Sequence, residues 1–475
     1  MLARRIFEFV DQKQFASVSG DFNPMHLDSV YARRTQAGAP VVHGIHLLLW
    51  ALDELAASQP DLPQVLSIRV RFHQFVYLGE AVEIGTVQQK SDGLRMSILG
   101  KGALRAKIAI VSGEVAAGCS LPHIDGAEVL PALEAASDLD LEQISGRSGL
   151  LPFKMTDEDA ARMFPAATKW LGAKKIAALA ASTYLVGMVC PGLHSIYDGF
   201  SITCCEKLGA EDLLSYRVLE TDERFRSVQM EIAGGGLEGL VTCFLRTPPV
   251  RQQAMQALSK TVNPDEFAGS VALVVGGSRG LGELTAKLIA AGGGRVIITW
   301  QSGREDAERV VQEIRSAGGN CEAFAYDARK APEEQLAFLI DPPTHAYYFA
   351  TPTIFRHKSD ILVPGHLKEF LEIYVEGFWK LSQALRAIKP NISVFYPSSI
   401  FVTDRPEGMT EYAMAKAAGE LLCADIDRFL APLHVTMARL PRLSTDQTAS
   451  IAPTQVADSL QIMLPIVREV QSWPS

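Results

Sequence analysis

The C-terminal half of the chain has a rhythm that few folds can satisfy. Apolar strand-like runs at 271–275, 295–299, 321–326, 345–350, 392–398 and 434–438 alternate with helical patterns at about 281–291, 304–317, 366–386 and 411–430. Parallel strands need long crossovers and helices supply them, so this order predicts an α/β, doubly wound parallel sheet. The first run, VALVVGGSRGLGELTAKLI (Val271 to Ile289), passes from a strand through a glycine-rich turn into a helix. Gly276, Gly280 and Gly282 leave room for a pyrophosphate against backbone and helix N-terminus, where a side chain would collide. Such turns also occur for structural reasons, and it is the place between strand and helix that points to a dinucleotide.

The N-terminal half reads differently. Residues 1–118 pass through a helix near His43 to Ser58 and then alternate apolar and polar residues from Leu66 to Val115, with turn markers at Leu78-Gly79-Glu80 and Ser91-Asp92-Gly93. The stretch 119–149 is rich in Pro, Gly, Ser and acidic residues and reads as a linker. A faint repeat follows. The helical pattern 174–189, the Pro191-Gly192 turn and strands from Ser195 to Leu245 keep the order of elements of 43–115, and Cys204 to Val218 matches His73 to Val87. The second copy has no acid–histidine pair. The expected domains are therefore 1–118, a second α+β unit at 150–247, a linker at 248–267 and the doubly wound domain at 268–475, consistent with roughly 100–200 residues per domain.

A net charge of −9 argues against nucleic-acid or anionic-membrane partners. The seven cysteines form no CxxC or Cys/His spacing, so no metal site is expected and the thiols should be reduced. No apolar signal-peptide core follows the basic N-terminus, and the longest apolar stretch, Ile176 to Cys190, is shorter than a membrane span of about 20 residues. A cytoplasmic location is expected.

In FASVSGDFNPMHLDSVYA (Phe15 to Ala32), Asp21 and His26 lie five apart around Pro24, which marks a helix start that Asn23 or Asp21 can cap. A carboxyl and an imidazole on such a turn can share one water as paired general acid and base. The alternative is that Asp21 caps a helix and His26 is a surface residue. Farther on, His43-Gly44 opens an apolar helix whose first amides can receive charge developing on a thioester oxygen. Phe15, Val18, Ser19, Gly20, Asp21, Asn23, Pro24, His26, Ala32 and the HG pair at 43–44 together resemble the MaoC-like (R)-specific enoyl-CoA hydratases over roughly residues 5–118. That resemblance implies a hotdog fold, working as a dimer or as a fused double hotdog, with Asp21 and His26 as catalytic pair and the Gly44 amide as oxyanion donor. The second copy would then complete a double hotdog, either shaping an acyl tunnel or serving as a purely structural half.

In the C-terminal half, Ser399 follows an apolar strand, Tyr412 stands thirteen residues later and Lys416 four beyond that. Spacing by four puts Tyr412 and Lys416 on one helix face, where a cation beside the phenol would lower its pKa from about 10. A YxxxK pair alone is usually a solvated helix face. With the glycine turn and Ser399, residues 268–447 resemble the short-chain dehydrogenase/reductase family, which implies a Rossmann fold, Ser399, Tyr412 and Lys416 as catalytic residues, and a cofactor contacted by Gly276, Ser278, Arg279, Gly280, Leu281, Gly282, Asp327 and Ala350. The second strand ends Thr299-Trp300-Gln301-Ser302-Gly303 without the acid that would hold a ribose hydroxyl, and Arg279 and Arg304 are available for a 2′-phosphate, so NADPH is expected. Arg304 could equally be a solvated helix residue. Against the family pattern, Ala350-Thr351-Pro352 replaces Asn-Ala-Gly, and Tyr374 occupies the place of a helix Asn.

The sequence thus predicts a bifunctional acyl-thioester enzyme, a hydratase/dehydratase joined to a 3-oxoacyl reductase, acting on CoA or carrier-protein thioesters, with a homodimer possible. The rivals are a single-activity hydratase with a non-catalytic nucleotide-binding module, and a non-catalytic acyl-carrier-protein scaffold.

Overall fold

The computed structural model describes residues 1–91, 93–115, 128–206, 212–248, 250–352, 354, 361–443 and 457–473. The chain forms two compact units, one comprising residues 1–248 and the other essentially 249–475.

In the first unit, β1 (Ala3–Ile6), β2 (Val65–Phe72), β3 (Ala81–Ile84), β4 (Gln88–Lys90), β5 (Gly93–Gly100), β6 (Ala103–Ser112), β7 (Ser148–Pro152), β8 (Ser195–Cys204), β9 (Leu213–Asp222), β10 (Ser227–Gly234) and β11 (Leu237–Leu245) make one antiparallel sheet. Its order is β1-β3-β5-β6-β2-β8-β11-β10-β9-β7, with β4 on β5. The two halves meet where β2 pairs with β8, from Ser67↔Thr203 to Arg71↔Gly199. Alternation sends Met96, Ile98, Ile108 and Ile110 inward, onto the helix Gly44–Ser58, which is buried from Ile45 through Leu52 and again at Leu55. The second half encloses its own helix, Ala173–Tyr184, buried from Ile176 onward. A helix apolar on almost every side must be wrapped, and a curved sheet around each helix is the double hotdog.

Two stretches expected as linkers are structural. Of 119–149, residues 119–127 lie outside the described ones. The remainder holds the capped helix Leu141–Ile144 and leads into β7, an edge strand on β9, with Ile144 and Leu151 buried. Its polar composition belongs to the solvent side of an edge. Likewise 248–267 is not a spacer, because Met255, Leu258, Val262 and Phe267 are buried in the core of the second unit.

The second unit stacks β12 (Val271–Val275), β13 (Arg295–Trp300), β14 (Asn320–Ala325), β15 (His345–Tyr348), β16 (Ser393–Ser399) and β17 (His434–Leu440) in the order β14-β13-β12-β15-β16-β17, all parallel. The order reverses between β12 and β15, which opens a crevice at their C-terminal ends. The helix expected at 366–386 is interrupted: Pro364–Leu371 and Phe378–Ile388 flank a π-helical turn, Glu372–Gly377. A Cβ at Gly377 would lie 2.7 Å from the Ala328 carbonyl and the Tyr348 hydroxyl, so this close pass requires glycine.

Cys190, Cys204, Cys243, Cys321 and Cys423 are free and buried. Cys205 is disulfide-bonded, which departs from the expectation of reduced thiols throughout. Among the described residues no helix is long and apolar enough to cross a membrane.

Candidate active sites

Gly20, at φ +83, ends the helix Phe9–Ser19 and turns the chain inward. Asp21 is consequently 1% exposed rather than a surface cap. The cap is Asn23, whose Oδ1 accepts from the Met25 amide at the head of the short helix Pro24–Leu27 that carries His26. Asp21 accepts from the Asn23 amide at 3.1 Å and from the Thr183 hydroxyl at 2.6 Å. His26 donates Nδ1–H to the Val41 carbonyl at 2.8 Å, which leaves Nε2 as a lone pair. The Gly44 helix begins beside them with first-turn amides that have no intrahelical acceptor. Asp21, His26 and Gly44 line one pocket together with Phe72, Thr183 and Tyr197. The structure therefore brings together all three residues expected from the sequence.

Burial raises the Asp21 carboxyl above its ordinary value, opposed by His26 and by the Thr183 hydrogen bond. Burial likewise lowers His26, opposed by Asp21. Both shifts favour a neutral pair, with a proton on the carboxyl and none on Nε2. A third group joins them. The fully buried His43 stacks on His26 with ring centroids 3.7 Å apart, directs Nδ1 to Gln12 Oε1 at 2.8 Å, and places Nε2 3.1 Å from the Asp21 carbonyl. One ligand-type atom each from Asp21, His26 and His43 falls within 4.8 Å of the others. The two rings lie one over the other with centroids 3.7 Å apart and 25° between their planes, however, so a cation at bonding distance cannot lie in both ring planes.

In the second unit, Gly276 (φ +79) and Gly280 (φ +58) shape the turn after β12. A Cβ at Gly282 would lie 2.3 Å from the Gly276 carbonyl, and one at Gly276 would lie 2.9 Å from the Phe349 carbonyl and 3.1 Å from the Ala350 amide. The glycine turn and Ala350 are thus adjacent across the β12/β15 crevice. Arg279 sits at the N-cap of the helix Gly280–Ala291, with Ser278 buried before it and Leu281 partly buried within it. Asp327, half-buried past β14, accepts from the Arg329 amide at 3.1 Å. Arg304 is exposed and pairs with Glu308 at 2.6 Å on its own helix, the arrangement of a solvated helix face.

Ser399 hydrogen-bonds Tyr412, as the constellation requires, but Lys416 does not act as expected. Its ammonium donates to the Pro397 carbonyl at 2.6 Å and lies over the rings of Tyr374 at 3.9 Å, Tyr396 at 4.8 Å and Tyr412 at 5.9 Å. Burial in this cage brings Lys416 down to about 7. The Tyr412 phenol, instead of falling, is pushed up by burial to about 12, opposed by the Ser399 bond. Tyr374, fully buried in the π-helical turn, fixes the cage by a 2.5 Å hydrogen bond to Thr351.

Residues 8–107 match the family described as MaoC like domain, and residues 270–339 match short chain dehydrogenase. The chain joins a MaoC-like domain to a short-chain dehydrogenase domain. Among curated relatives, it is 34% identical over 115 residues to a short chain dehydrogenase/reductase of Cryptosporiopsis sp., covering 24% of this chain and 42% of that one. It is 34% identical over 116 residues to a probable tetrahydroxynaphthalene reductase of Zymoseptoria tritici, with the same coverages of 24% and 42%. The chain thus spans well under half the length of these relatives. Among solved structures, a short chain dehydrogenase of Escherichia coli complexed with NADPH aligns with a TM-score of 0.40 at 21% identity, covering 44% of this chain and 93% of that one.

In the first unit, sequence reasoning passed over His43, Thr183 and Gly187. His43 read as the residue before a useful glycine, although its place in the HG pair was a signal. Thr183 and Gly187 lie in the second half, far in sequence from the Asp21–His26 motif, where nothing local marks them. A Cβ at Gly187 would fall 2.3 Å from Asp21 Oδ1, and the Gly187 carbonyl accepts from Asn23 Nδ2 at 2.7 Å. In the short-chain dehydrogenase domain, the ring of Tyr396 was the unseen part of the cage.

Proposed function

We propose that the chain is a bifunctional acyl-thioester enzyme, reducing a 3-oxoacyl thioester with NADPH to the (R)-3-hydroxyacyl thioester and dehydrating that to the trans-2-enoyl form, in fatty-acid- or polyketide-like biosynthesis. The observation that carries it is the convergence of Asp21, His26 and the Gly44 helix terminus on one pocket. In the hydration direction, His26 Nε2 takes a proton from water as its oxygen adds to C3, the Asp21 carboxyl gives its proton to C2, and the Gly44 amide receives the charge that builds on the thioester oxygen. Dehydration runs the same transfers backward. The acyl carrier is CoA or a carrier protein.

In the reductase domain, the residues fit a dinucleotide at the glycine turn. Gly276 and Gly280 adopt φ values that favour glycine, and the helix N-terminus at Arg279–Gly280 faces the strand-order reversal. Asp327 and Ala350 would hold the remainder, and Arg279 is the cation placed for a 2′-phosphate. NADPH, when bound, supplies a hydride. Ser399 orients the ketone, and Tyr412 gives its phenolic proton to the ketone oxygen. The reductase names of the fungal relatives support this half of the reading.

The cage around Lys416 favours a second reading, a single-activity hydratase whose second domain binds nucleotide without turnover. Incubation of purified protein with a short 3-oxoacyl thioester and NADPH decides between them. Consumption of NADPH with (R)-3-hydroxyacyl and enoyl products is expected, and Tyr412→Phe should stop it while leaving hydration of added enoyl thioester intact. Hydration without NADPH consumption selects the second reading. If neither reaction occurs, both fail.

A further inference from the structure

The segment that carries His26 is held in place from the other half of the double hotdog. Residues 24–41 pack Met25, Ala37 and Val41 into a small cluster with Phe75 and Tyr77, and the segment closes on itself through the His26–Val41 hydrogen bond. Its outer turn, the short helix Ser29–Ala32, presents Tyr31. The Tyr31 hydroxyl accepts from Nη2 of Arg246, just past the end of β11, at 2.7 Å. The same nitrogen donates to the Leu193 carbonyl at 2.8 Å, and Asn23 Nδ2 lies 3.4 Å from that carbonyl. One guanidinium nitrogen therefore ties together the chain beyond His26 and the backbone on which Asn23, the neighbour of Asp21, is hung.

Packing does not account for an arginine here. Arg246 is 0% exposed, and a guanidinium keeps its charge even when buried. Its Nε and Nη1 find no hydrogen-bond partner among the described residues. A buried charge with unsatisfied donors is less stable than an apolar side chain of similar volume. What an apolar residue could not supply is the pair of bonds from Nη2.

We propose that Arg246 is a positioning residue for the hydration site, clamping the His26 segment from the other half of the double hotdog. This rests on the assignment of Asp21 and His26 as the acid–base pair. Arg246→Met should lower kcat for enoyl-thioester hydration by roughly 10–100-fold, the order expected when reacting groups shift by a fraction of an ångström to one ångström. KM should stay within about threefold, since uniform binding is untouched, and the melting temperature should hold or rise. Tyr31→Phe, which keeps the ring and removes the acceptor, should lower kcat in the same direction, and the double variant should lose no more than Arg246→Met alone. An arginine that only stabilised the fold would lower the melting temperature and leave kcat per folded molecule unchanged, which overturns the proposal.

A second readout needs no substrate. Imidazole ¹⁵N spectra should show His26 as one Nδ1–H tautomer in the native protein and as a mixture in Arg246→Met. If the native protein hydrates no enoyl thioester yet this change appears, the assigned reaction fails and the clamp stands. If Arg246→Met keeps the native kcat and the single tautomer, the clamp is refuted.

Discussion

Replacing Gly187 by alanine tests whether the second half of the double hotdog builds the hydration site. The added Cβ would lie 2.3 Å from Asp21 Oδ1, 2.6 Å from Oδ2 and 2.7 Å from Cγ. Non-bonded contacts of this kind settle near 3.5 Å, so the carboxylate must retreat by about 1 Å. That retreat also strains the 2.6 Å bond to Thr183. A displacement of about 1 Å in a reacting group costs on the order of 10²-fold in rate, equivalent to ~2.7 kcal/mol of activation free energy. The backbone gives no reason for the fold to suffer, because Gly187 lies in a helical turn and is absent from the left-handed positions. Alanine there is favoured over glycine by up to about 1 kcal/mol in helix propensity. Loss of enoyl-thioester absorbance gives the rate and thermal unfolding gives the stability. A variant within about threefold of the native rate, or one that loses activity only as it loses stability, would refute the reasoning, since the group that must move is the Asp21 carboxylate itself, held in place by its bonds to Asn23 and Thr183.

The pH profile offers a second test. Hydration needs His26 neutral and Asp21 protonated, so kcat/KM should be bell-shaped, with its acid limb below the ordinary imidazole value because His26 is lowered. Thr183→Val removes a bond that favours the ionised carboxyl, so Asp21 rises further and the alkaline limb should move to higher pH; an unmoved limb would detach Asp21 from it. Lys416, held near 7, loses its charge as pH rises, so NADPH oxidation should decline above about that pH. Tyr374→Asn opens the cage to water, which should raise Lys416 and extend activity to higher pH, and an identical profile would show the cage to be irrelevant. Titration should show tighter binding of NADPH than of NADH; equal affinity would remove the role given to Arg279.

Much of the architecture was legible because it repeats a local rule many times. Six apolar strands recur between crossovers, and every strand of the parallel sheet lies within two residues of the expected run. Asp21, His26 and Gly44 were singled out by the resemblance of the surrounding motif to the MaoC-like pattern, since the turn and the proline alone left Asp21 as a cap and His26 on the surface as the alternative. Thr183, Gly187 and Arg246 were not, since each acts on a residue more than 150 positions away and carries no mark of its own. The Lys416 expectation failed for a related reason. Helical spacing correctly placed Lys416 and Tyr412 on one face, but three tyrosine rings from separate elements, Tyr374, Tyr396 and Tyr412, and the Pro397 carbonyl decide what the ammonium can do.

The chain joins the two halves covalently and the pairing of β2 with β8 joins them in one sheet, and that body is asymmetric. A symmetric pair of identical hotdogs must keep every residue fit for two duties at once, as catalyst in one pocket and as wall in the other. Here the duties are divided, so Thr183, Gly187 and Arg246 answer to a single pocket and are free of any compromise with a second. Titration of the proposed hydration site should accordingly count one site per chain, and a substitution in either half should act on that site once.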